Sequence, residues 1–252
     1  MTPTPLHGRR LLVTGGTRGI GRAIAIAAGR AGAAVAVTYA HREADAAAAR
    51  EAIAATGALV HVARADVADG AVVGGLLTEV AAALGGAPDL LVNNAAVTQD
   101  GLLMLLPERA WDHVLDTNLK GTYLTSKAVL RGMIAARRGR IVNVVSPAAF
   151  RGMEGAANYA AAKAGGVALT KSLAREVARY EITVNAVSPG FVDTQLVAGL
   201  DEARRRAYLE QIPLRRFASP EEISQAVLFL LSPAASYVTG TTLHVDGGLT
   251  ML

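Results

Sequence analysis

The chain alternates short apolar runs with amphipathic helical patterns along most of its length, and this alternation limits the folds open to it. Helical patterns separate the first six runs, and a seventh lies near the carboxyl terminus; the runs span 11–14, 34–39, 59–64, 89–93, 140–145, 182–187 and 242–245. Such alternation is typical of a parallel sheet with helices on both faces and right-handed crossovers. We therefore predict an α/β fold with a doubly wound parallel sheet of about seven strands.

A glycine-rich turn follows the first apolar run. Gly15, Gly19 and Gly21 stand between the run 11–14 and a helical pattern over 22–32. Backbone N–H groups in such a turn can approach a pyrophosphate, whose charge the positive end of the next helix stabilises. Glycine also serves ordinary loops, but the order of strand, turn and helix is that of a dinucleotide site. We predict a Rossmann-type sheet that binds its ligand at the carboxyl ends of the strands.

Tyr159 and Lys163 lie four residues apart in a helical segment, so both side chains fall on one helix face. A nearby ammonium group favours phenolate, and Lys163 is therefore expected to pull the pKa of Tyr159 from about 10 toward neutrality. Tyr159 could then transfer a proton at working pH. The spacing alone leaves a second interpretation open, namely a surface Tyr/Lys pair without chemistry.

Further motifs stand in a fixed order around this pair. They are the turn 14–21, Asn93-Asn94-Ala95-Ala96, Asn118, Ser146 thirteen residues before Tyr159, and Pro189-Gly190 with Thr194. Together they resemble the classical short-chain dehydrogenase/reductase family over nearly the whole chain. Within that family the segments 158–165, 171–178 and 240–248 are similar to bacterial 3-oxoacyl-[acyl-carrier-protein] reductases.

The resemblance implies roles for four catalytic residues during hydride transfer from a nicotinamide to a carbonyl carbon. Tyr159 would protonate the carbonyl oxygen, and Ser146 would donate a hydrogen bond to that oxygen. Lys163 would also hold the nicotinamide ribose, and Asn118 would anchor a water that links Lys163 to solvent. Judged alone, Ser146 could be a turn serine and Asn118 a helix cap.

The end of the second apolar run bears on the choice of cofactor. Segment 37–42 has no Asp or Glu to read an NAD ribose, whereas Arg18 and Arg42 are close by, so we predict NADPH (NADP+). Asp66 resembles the family's adenine contact, although it also suits a helix cap. The predicted cofactor residues are Gly15, Thr17, Arg18, Gly19, Ile20, Gly21, Tyr39, His41, Arg42, Asp66, Val67, Asn94, Ala95, Ala96, Tyr159, Lys163, Pro189, Gly190, Val192 and Thr194.

Two positions depart from the family pattern. Ala96 replaces a glycine, which is tolerable unless the backbone there needs a positive φ. Pro147 follows Ser146 directly and biases it toward an extended conformation. We interpret both as signs of altered substrate specificity.

Composition excludes several other classes of function. The chain has no cysteine and its five His are scattered, so no metal site is predicted. A net charge of +4 from 25 basic and 21 acidic residues is too small to indicate a nucleic-acid-binding protein. No signal peptide or membrane span is recognisable, which predicts no membrane association and a cytoplasmic protein.

These observations favour a single domain over 1–252, with a cofactor half at about 8–150 and a mobile substrate lid at about 191–213.

The predicted activity is NADPH-dependent reduction of a 3-oxoacyl thioester, carried by acyl carrier protein in fatty-acid or polyketide assembly. The alternative is an NAD(P)-dependent reductase or dehydrogenase of a free small ketone or secondary alcohol. A third interpretation, a nucleotide sensor or scaffold without turnover, is disfavoured because Tyr159 and Lys163 are both present. An enoyl reductase is also disfavoured, because enoyl reductases of the family usually separate the Tyr and the Lys by six residues.

Basic side chains could guide an acidic carrier protein toward the mouth of the active site. Arg137 occupies a position of carrier contact in the similar reductases, and Arg179 adjoins a second such position, which here is Tyr180. An ordinary solvated surface would explain these arginines equally well. The resemblance further implies a homotetramer built through the helices of Asn118 and Tyr159 and the last strand.

Overall fold

The computed structural model describes residues 5–194, 199 and 201–251. Within these residues, seven strands form one fully parallel sheet in the order β3-β2-β1-β4-β5-β6-β7. The α/β prediction is confirmed, and each strand lies within one or two residues of its apolar run. The strands are β1 (Arg10–Val13), β2 (Ala34–Tyr39), β3 (Val60–Arg64), β4 (Leu90–Asn93), β5 (Gly139–Val144), β6 (Ile182–Pro189) and β7 (Thr242–Val245).

Helices cover both faces of this sheet. They are α1 (Gly19–Arg30), α2 (Glu43–Ala54), α3 (Gly70–Ala83), α4 (Glu108–Leu115), α5 (Gly121–Ala136), α6 (Ala148–Arg151), α7 (Ala157–Val177), α8 (Glu202–Gln211) and α9 (Pro220–Leu231). A π-helical turn, Asp116–Lys120, joins α4 to α5. Across the described ranges, no helix is both long and apolar enough to cross a membrane.

Side-chain alternation along the strands builds two apolar cores, one on each face. In β1, Leu11 and Val13 pack in the core that contains α1 and α9, whereas Leu12 packs in the core that contains α3, α5 and α7. Because each central strand is buried on both faces, its sequence is a continuous apolar run. The runs that predicted the strands therefore reflect burial on both sides.

A buried polar network ties the site's main helix to the sheet. The Asn93 amide nitrogen donates to the Asn143 side-chain oxygen at 2.8 Å, and the Asn143 amide nitrogen donates to the Thr170 hydroxyl at 2.8 Å. Buried amides need such partners, since an unpaired one costs about 1–3 kcal/mol. The network fixes α7 against β4 and β5. It reaches β5 at Asn143, the residue that precedes Val144 at the end of that strand.

The predicted lid lies partly outside the described residues, at 195–198 and 200. Of the rest, α8 begins at Glu202, and the Asp201 carboxylate caps it by accepting from the Arg204 N–H at 2.8 Å. The Phe191 ring stacks on Tyr208 with 4.3 Å between centroids, so the start of this segment packs on α8.

Candidate functional site

A cleft of about 540 Å³ opens at the carboxyl ends of β1 to β4. This is the sheet edge at which the sequence predicted a nucleotide. Most of the predicted cofactor residues line it, namely Gly15, Thr17, Arg18, Gly19, Ile20, Gly21, Tyr39, His41, Arg42, Asp66, Val67, Asn94, Ala95, Ala96, Tyr159 and Thr194.

The remaining predicted cofactor residues lie near this cleft without lining it. Lys163 is buried, with only 4 % of its surface exposed. Pro189 ends β6, and the Gly190 N–H donates to the Val245 carbonyl at 3.0 Å. A Cβ on Gly190 would come within 2.7 Å of the Asp246 Cα, so close packing against the last strand requires glycine there. Val192 is buried and bridges to Ala218.

The glycine turn has little room for side chains. Gly15 and Gly19 have φ of +62° and +51°, the left-handed region that favours glycine. A Cβ on Gly21 would overlap the Gly15 carbonyl oxygen and come within 2.5 Å of the Asn94 amide nitrogen. The turn can therefore hold its backbone close to a ligand only with glycine at these positions.

Asn94 holds the turn in place from the neighbouring strand. Its amide nitrogen donates to the carbonyls of Thr14 and Gly15, at 3.1 and 2.9 Å. The Thr14 hydroxyl accepts from the N–H groups of Asn94 and Ala95, at 3.0 and 3.1 Å. Ala96 is not among the residues with positive φ, so its methyl group is compatible with this backbone.

The N-terminus of α1 faces the same cleft and suits a diphosphate. Its N-cap residue, Arg18, makes no side-chain capping bond, and its first turn has no acidic residue. Uncapped N–H groups and the helix dipole together favour an anion. These features and the glycine turn fit the dinucleotide that the sequence predicted.

Asp66 does not cap the helix that follows it. The N-cap of α3 is Asp69, whose carboxylate accepts from the N–H groups of Ala71 and Val72. Asp66 accepts from the Ala68 N–H at 3.0 Å and lines the cleft. Of the two sequence-based interpretations, the structure therefore favours a cleft residue.

Tyr159 and Lys163 lie on α7, as their spacing predicted. The Lys163 Nζ donates to the Val144 carbonyl at 2.8 Å and lies 5.6 Å from the centre of the Tyr159 ring. Burial lowers the pKa of Lys163 to about 8, so it is still mostly protonated at pH 7. The arrangement places a buried ammonium behind a phenol that lines the cleft.

The sequence predicts a lowered pKa for Tyr159, and for the polypeptide alone this prediction is wrong in direction. Burial raises this pKa, a hydrogen bond with the Ser146 side chain acts in the opposite sense, and the charge of Asp100 raises it further. Burial dominates because phenolate loses more hydration than phenol. A neutral phenol at pH 7 is the form that donates a proton.

A second pair with the same spacing, Tyr123 and Lys127, shows why the spacing alone is weak evidence. Its Nζ also lies 5.6 Å from the ring centre, and it donates to the Tyr123 hydroxyl at 3.3 Å. However, Tyr123 is 45 % exposed on α5 and does not line the cleft. Tyr123 and Lys127 thus form a surface pair of the kind that the spacing left open for Tyr159 and Lys163, and burial at the cleft distinguishes Tyr159 from it.

Ser146 follows β5, and its side chain lies close enough to the Tyr159 hydroxyl to act against the rise in the pKa of Tyr159. Its Oγ also accepts from the Ala148 N–H at 3.3 Å, so the role of turn serine holds as well. Pro147, with φ of −53°, is the N-cap of α6, a position where its missing N–H is tolerated. The proline thus starts a short helix and leaves the serine hydroxyl at the site.

Asn118 is buried in the π-helical turn, and its side chain is engaged with the backbone of Val97. Its Oδ1 accepts from the Val97 N–H at 2.8 Å, and its Nδ2 donates to the Val97 carbonyl at 2.9 Å. These bonds tie the π-helical turn to the segment after β4 and replace the helix-cap interpretation. The water-anchoring role remains a prediction.

We expect Lys163 to make stability rise with pH. Because its pKa is about 8 when folded and near 10.4 when unfolded, the unfolded chain binds more protons between these values. From pH 8 to 10 the wild type should gain about 2 kcal/mol of unfolding free energy relative to Lys163→Met. Urea unfolding of both proteins across this range measures the difference, and a constant difference would contradict the buried ammonium.

Arg137 and Arg179 do not lie at the mouth of the cleft in this chain. Arg137 ends α5 and donates to the Arg179 carbonyl at 3.0 Å, beside the amino ends of β5 and β6. Ser146 lies beyond the other end of β5, and six strand residues span about 20 Å. The strand separates these arginines from their own chain's active site, and their contact with a carrier stays a prediction.

Several lining residues were not predicted from the sequence: Thr38, Ala40, Asp45, Ala65, Val97, Thr98 and Thr117. Thr38 carried a usable signal, since it is a polar residue at the end of a buried strand, and its hydroxyl accepts from the Gly15 N–H at 3.2 Å. Asp45 lies on a helix, where the sequence does not reveal which side faces the cleft.

Comparisons with known proteins agree with this geometry. A family model described as Enoyl-(Acyl carrier protein) reductase matches residues 15–250. The chain is 45 % identical over 247 residues to a 3-oxoacyl-[acyl-carrier-protein] reductase of Vibrio cholerae, covering 98 % of this chain and 99 % of that protein. The Escherichia coli K12 protein of the same description is 44 % identical over 248 residues, with the same coverage.

A solved structure is also similar over nearly the whole chain. It belongs to a Sinorhizobium meliloti protein described as a short-chain alcohol dehydrogenase, with a TM-score of 0.93, 39 % identity and 98 % of both chains covered. The fold, the glycine turn, the Ser146, Tyr159 and Lys163 arrangement and these relatives lead to one conclusion. The chain belongs to the short-chain dehydrogenase/reductase family of nicotinamide-dependent oxidoreductases.

Proposed function

We propose that this protein reduces a 3-oxoacyl thioester to the 3-hydroxyacyl form with NADPH, in fatty-acid or polyketide assembly. The observation that carries the proposal is that Tyr159 lines the same cleft as the glycine turn, with the Lys163 ammonium buried behind it. The near full-length similarity to proteins described as 3-oxoacyl-[acyl-carrier-protein] reductases supports the substrate class.

NADPH is the proposed cofactor because cations line the adenosine end of the cleft. Arg18 and Arg42 both face it, and residues 40–42 include no acid. A guanidinium group binds a 2′-phosphate well, since it is always charged and offers several donors. Pro189, Gly190, Val192 and Thr194 would hold the nicotinamide end, close to Lys163.

The chain's own residues provide the proton and the oxygen site. When bound, the nicotinamide supplies the hydride that reaches the carbonyl carbon. Tyr159 donates its proton to the carbonyl oxygen, and Ser146 donates a hydrogen bond to the same oxygen as negative charge develops there. The positive charge of Lys163 then stabilises the phenolate that remains.

The separation of Arg137 and Arg179 from the cleft of their own chain supports carrier recognition between subunits. We propose a homotetramer in which α5 and α7 pair with their copies. A two-fold axis perpendicular to these helices would set the copies antiparallel and bring the Arg137 end of one chain toward a neighbour's active site. The acyl carrier protein would then bridge two subunits.

A free small ketone or alcohol is the alternative substrate. The Sinorhizobium meliloti protein is described as an alcohol dehydrogenase, and its structure matches this chain as a whole. Enoyl reduction, named in the description of the family model, is less compatible with the four-residue separation of Tyr159 and Lys163. The resemblance connects that activity with a six-residue separation.

The deciding experiment follows NADPH oxidation with one 3-oxoacyl group presented on acyl carrier protein and as a small free thioester. We expect faster turnover on the carrier, with an advantage that shrinks with added salt and in Arg137→Ala. Arg30→Ala is the control for the loss of one positive charge, because Arg30 is an exposed arginine at the end of α1. Equal or faster turnover of free ketones, or none on the carrier, would assign the protein to the small-molecule reductases.

A further inference from the structure

A buried side chain attaches the segment that follows β4 to the start of α7. Asn158, with 0 % of its surface exposed, directly precedes Tyr159. Its amide nitrogen donates to the carbonyls of Gln99 and Ala110, at 3.1 and 3.3 Å, and its Oδ1 accepts from the Tyr159 N–H at 2.8 Å. A buried amide keeps such partners, because an unpaired polar group is costly. The backbone of Gln99 is therefore held next to the tyrosine that donates the proton.

Asp100 lies between two of these attachments. The carbonyl that precedes it, that of Gln99, accepts from the Asn158 amide. The N–H that follows it, that of Gly101, donates to the Gly155 carbonyl at 2.7 Å. Because both of its neighbours are bonded to the turn that leads into α7, the backbone of Asp100 is fixed beside that turn.

Asp100 carries a negative charge that no cation compensates. Its side chain is exposed, and within the part of the chain that the structure describes no cation lies within ion-pair distance of it. Segment 94–107 contains no other charged residue. The carboxylate acts on the phenol of Tyr159, whose pKa it raises. It is therefore close enough to act on a charge that a substrate places at the Tyr159 hydroxyl.

A carboxylate at this place distinguishes between carbonyl substrates by their charge. A free 3-oxo acid has its own carboxylate one methylene group away from the reacting carbonyl carbon. When the ketone oxygen meets the Tyr159 hydroxyl, this carboxylate is brought into the field of Asp100, and like charges repel each other more strongly in a partly desolvated site than in water. A thioester of the same acid is neutral and avoids the repulsion.

We propose that Asp100 is a specificity determinant that disfavours substrates with a carboxylate beside the ketone, and that it thereby selects thioesters over free 3-oxo acids. This inference rests on the proposed carbonyl reduction. Asp100 acts through its charge alone and takes no part in the transfer of the proton or the hydride.

The test compares acetoacetate with its small free thioester, which contain the same ketone. We expect Asp100→Ser to raise kcat/KM for acetoacetate relative to the thioester by about fivefold. Asp100→Lys should raise it further, because a cation attracts the carboxylate. NADPH oxidation measures both rates, and added salt should reduce the difference between wild type and variants.

The dependence of kcat/KM on pH gives a second readout, with the neutral thioester as the substrate. The phenol of Tyr159 has Lys163 beside it on α7, Ser146 on the segment after β5 and Asp100 on the segment after β4. Removal of the Asp100 charge lowers the pKa of Tyr159, so the loss of activity at high pH should begin at a lower pH in Asp100→Ser. A merely structural role of Asp100 would not shift this loss.

Glu154→Ser is the matched control. Glu154 is an exposed acid next to Gly155, and it is not among the charges that shift the pKa of Tyr159. This variant loses the same charge and should keep the wild-type substrate ratio and pH dependence. Because Asp100 and Glu154 are both exposed, urea unfolding should show wild-type stability for Asp100→Ser and Glu154→Ser, which excludes a folding defect.

An unchanged ratio in both Asp100 variants, the same change in Glu154→Ser, or a wild-type preference for acetoacetate would overturn the role of Asp100. In each of these cases reduction of the thioester would still support the proposed function. Wild-type protein that reduces neither probe would refute the proposed function and this inference with it.

Discussion

Tyr159→Phe is expected to lower kcat/KM for carbonyl reduction by about a thousandfold while the dissociation constant of NADPH stays the same. The substitution removes only the hydroxyl that donates the proton, and the ring still fills its place beside Lys163. Steady-state NADPH oxidation gives kcat/KM, and fluorescence titration gives the dissociation constant. The loss should be mainly in kcat, since the interaction acts in the transition state.

Tyr123→Phe is the matched control for this prediction. Tyr123 and Lys127 reproduce the spacing and the 5.6 Å distance on the surface of α5, away from the cleft. This variant should have wild-type kcat/KM. If Tyr159→Phe retained most of its activity, another group would have to supply the proton, and the assigned mechanism would be wrong.

Gly21→Ala is expected to abolish measurable NADPH binding and to lower the free energy of unfolding by about 1–3 kcal/mol. The new Cβ would overlap the Gly15 carbonyl oxygen and press on the Asn94 amide nitrogen. Relief of that overlap would move the turn, whose N–H groups face the diphosphate. Fluorescence titration and urea unfolding measure the two effects.

Gly75→Ala separates this effect from the general cost of changing a helical glycine. Gly75 lies within α3, and a Cβ there would meet no atom within 4 Å. Alanine should stabilise that helix by up to about 1 kcal/mol and leave NADPH binding unchanged. Wild-type affinity in Gly21→Ala would show that the turn does not need the close approach.

The sheet could be predicted from the sequence because its central strands are buried on both faces. Leu11-Leu12-Val13 supplies both cores, so the strand appears as an unbroken apolar run. The cleft could be predicted to the same extent, since glycines are needed where the backbone crowds. Both signals are local in the chain.

Properties that depend on tertiary surroundings could not be predicted from the sequence. The pKa of Tyr159 rises because of burial, which a four-residue spacing does not reveal. Asp45 faces the cleft through the placement of α2 on the sheet, and Arg137 is separated from the active site by the length of β5. Predicting each of these properties requires knowing which helices and strands pack against each other.

The sheet order has a consequence for how the chain is made. One side of β1 pairs with β2, but the other side pairs with β4, where Leu11 is in register with Leu90. During synthesis one side of β1 therefore stays unpaired until β4 emerges from the ribosome. During that interval the exposed apolar strand can pair with other chains, which makes aggregation compete with folding.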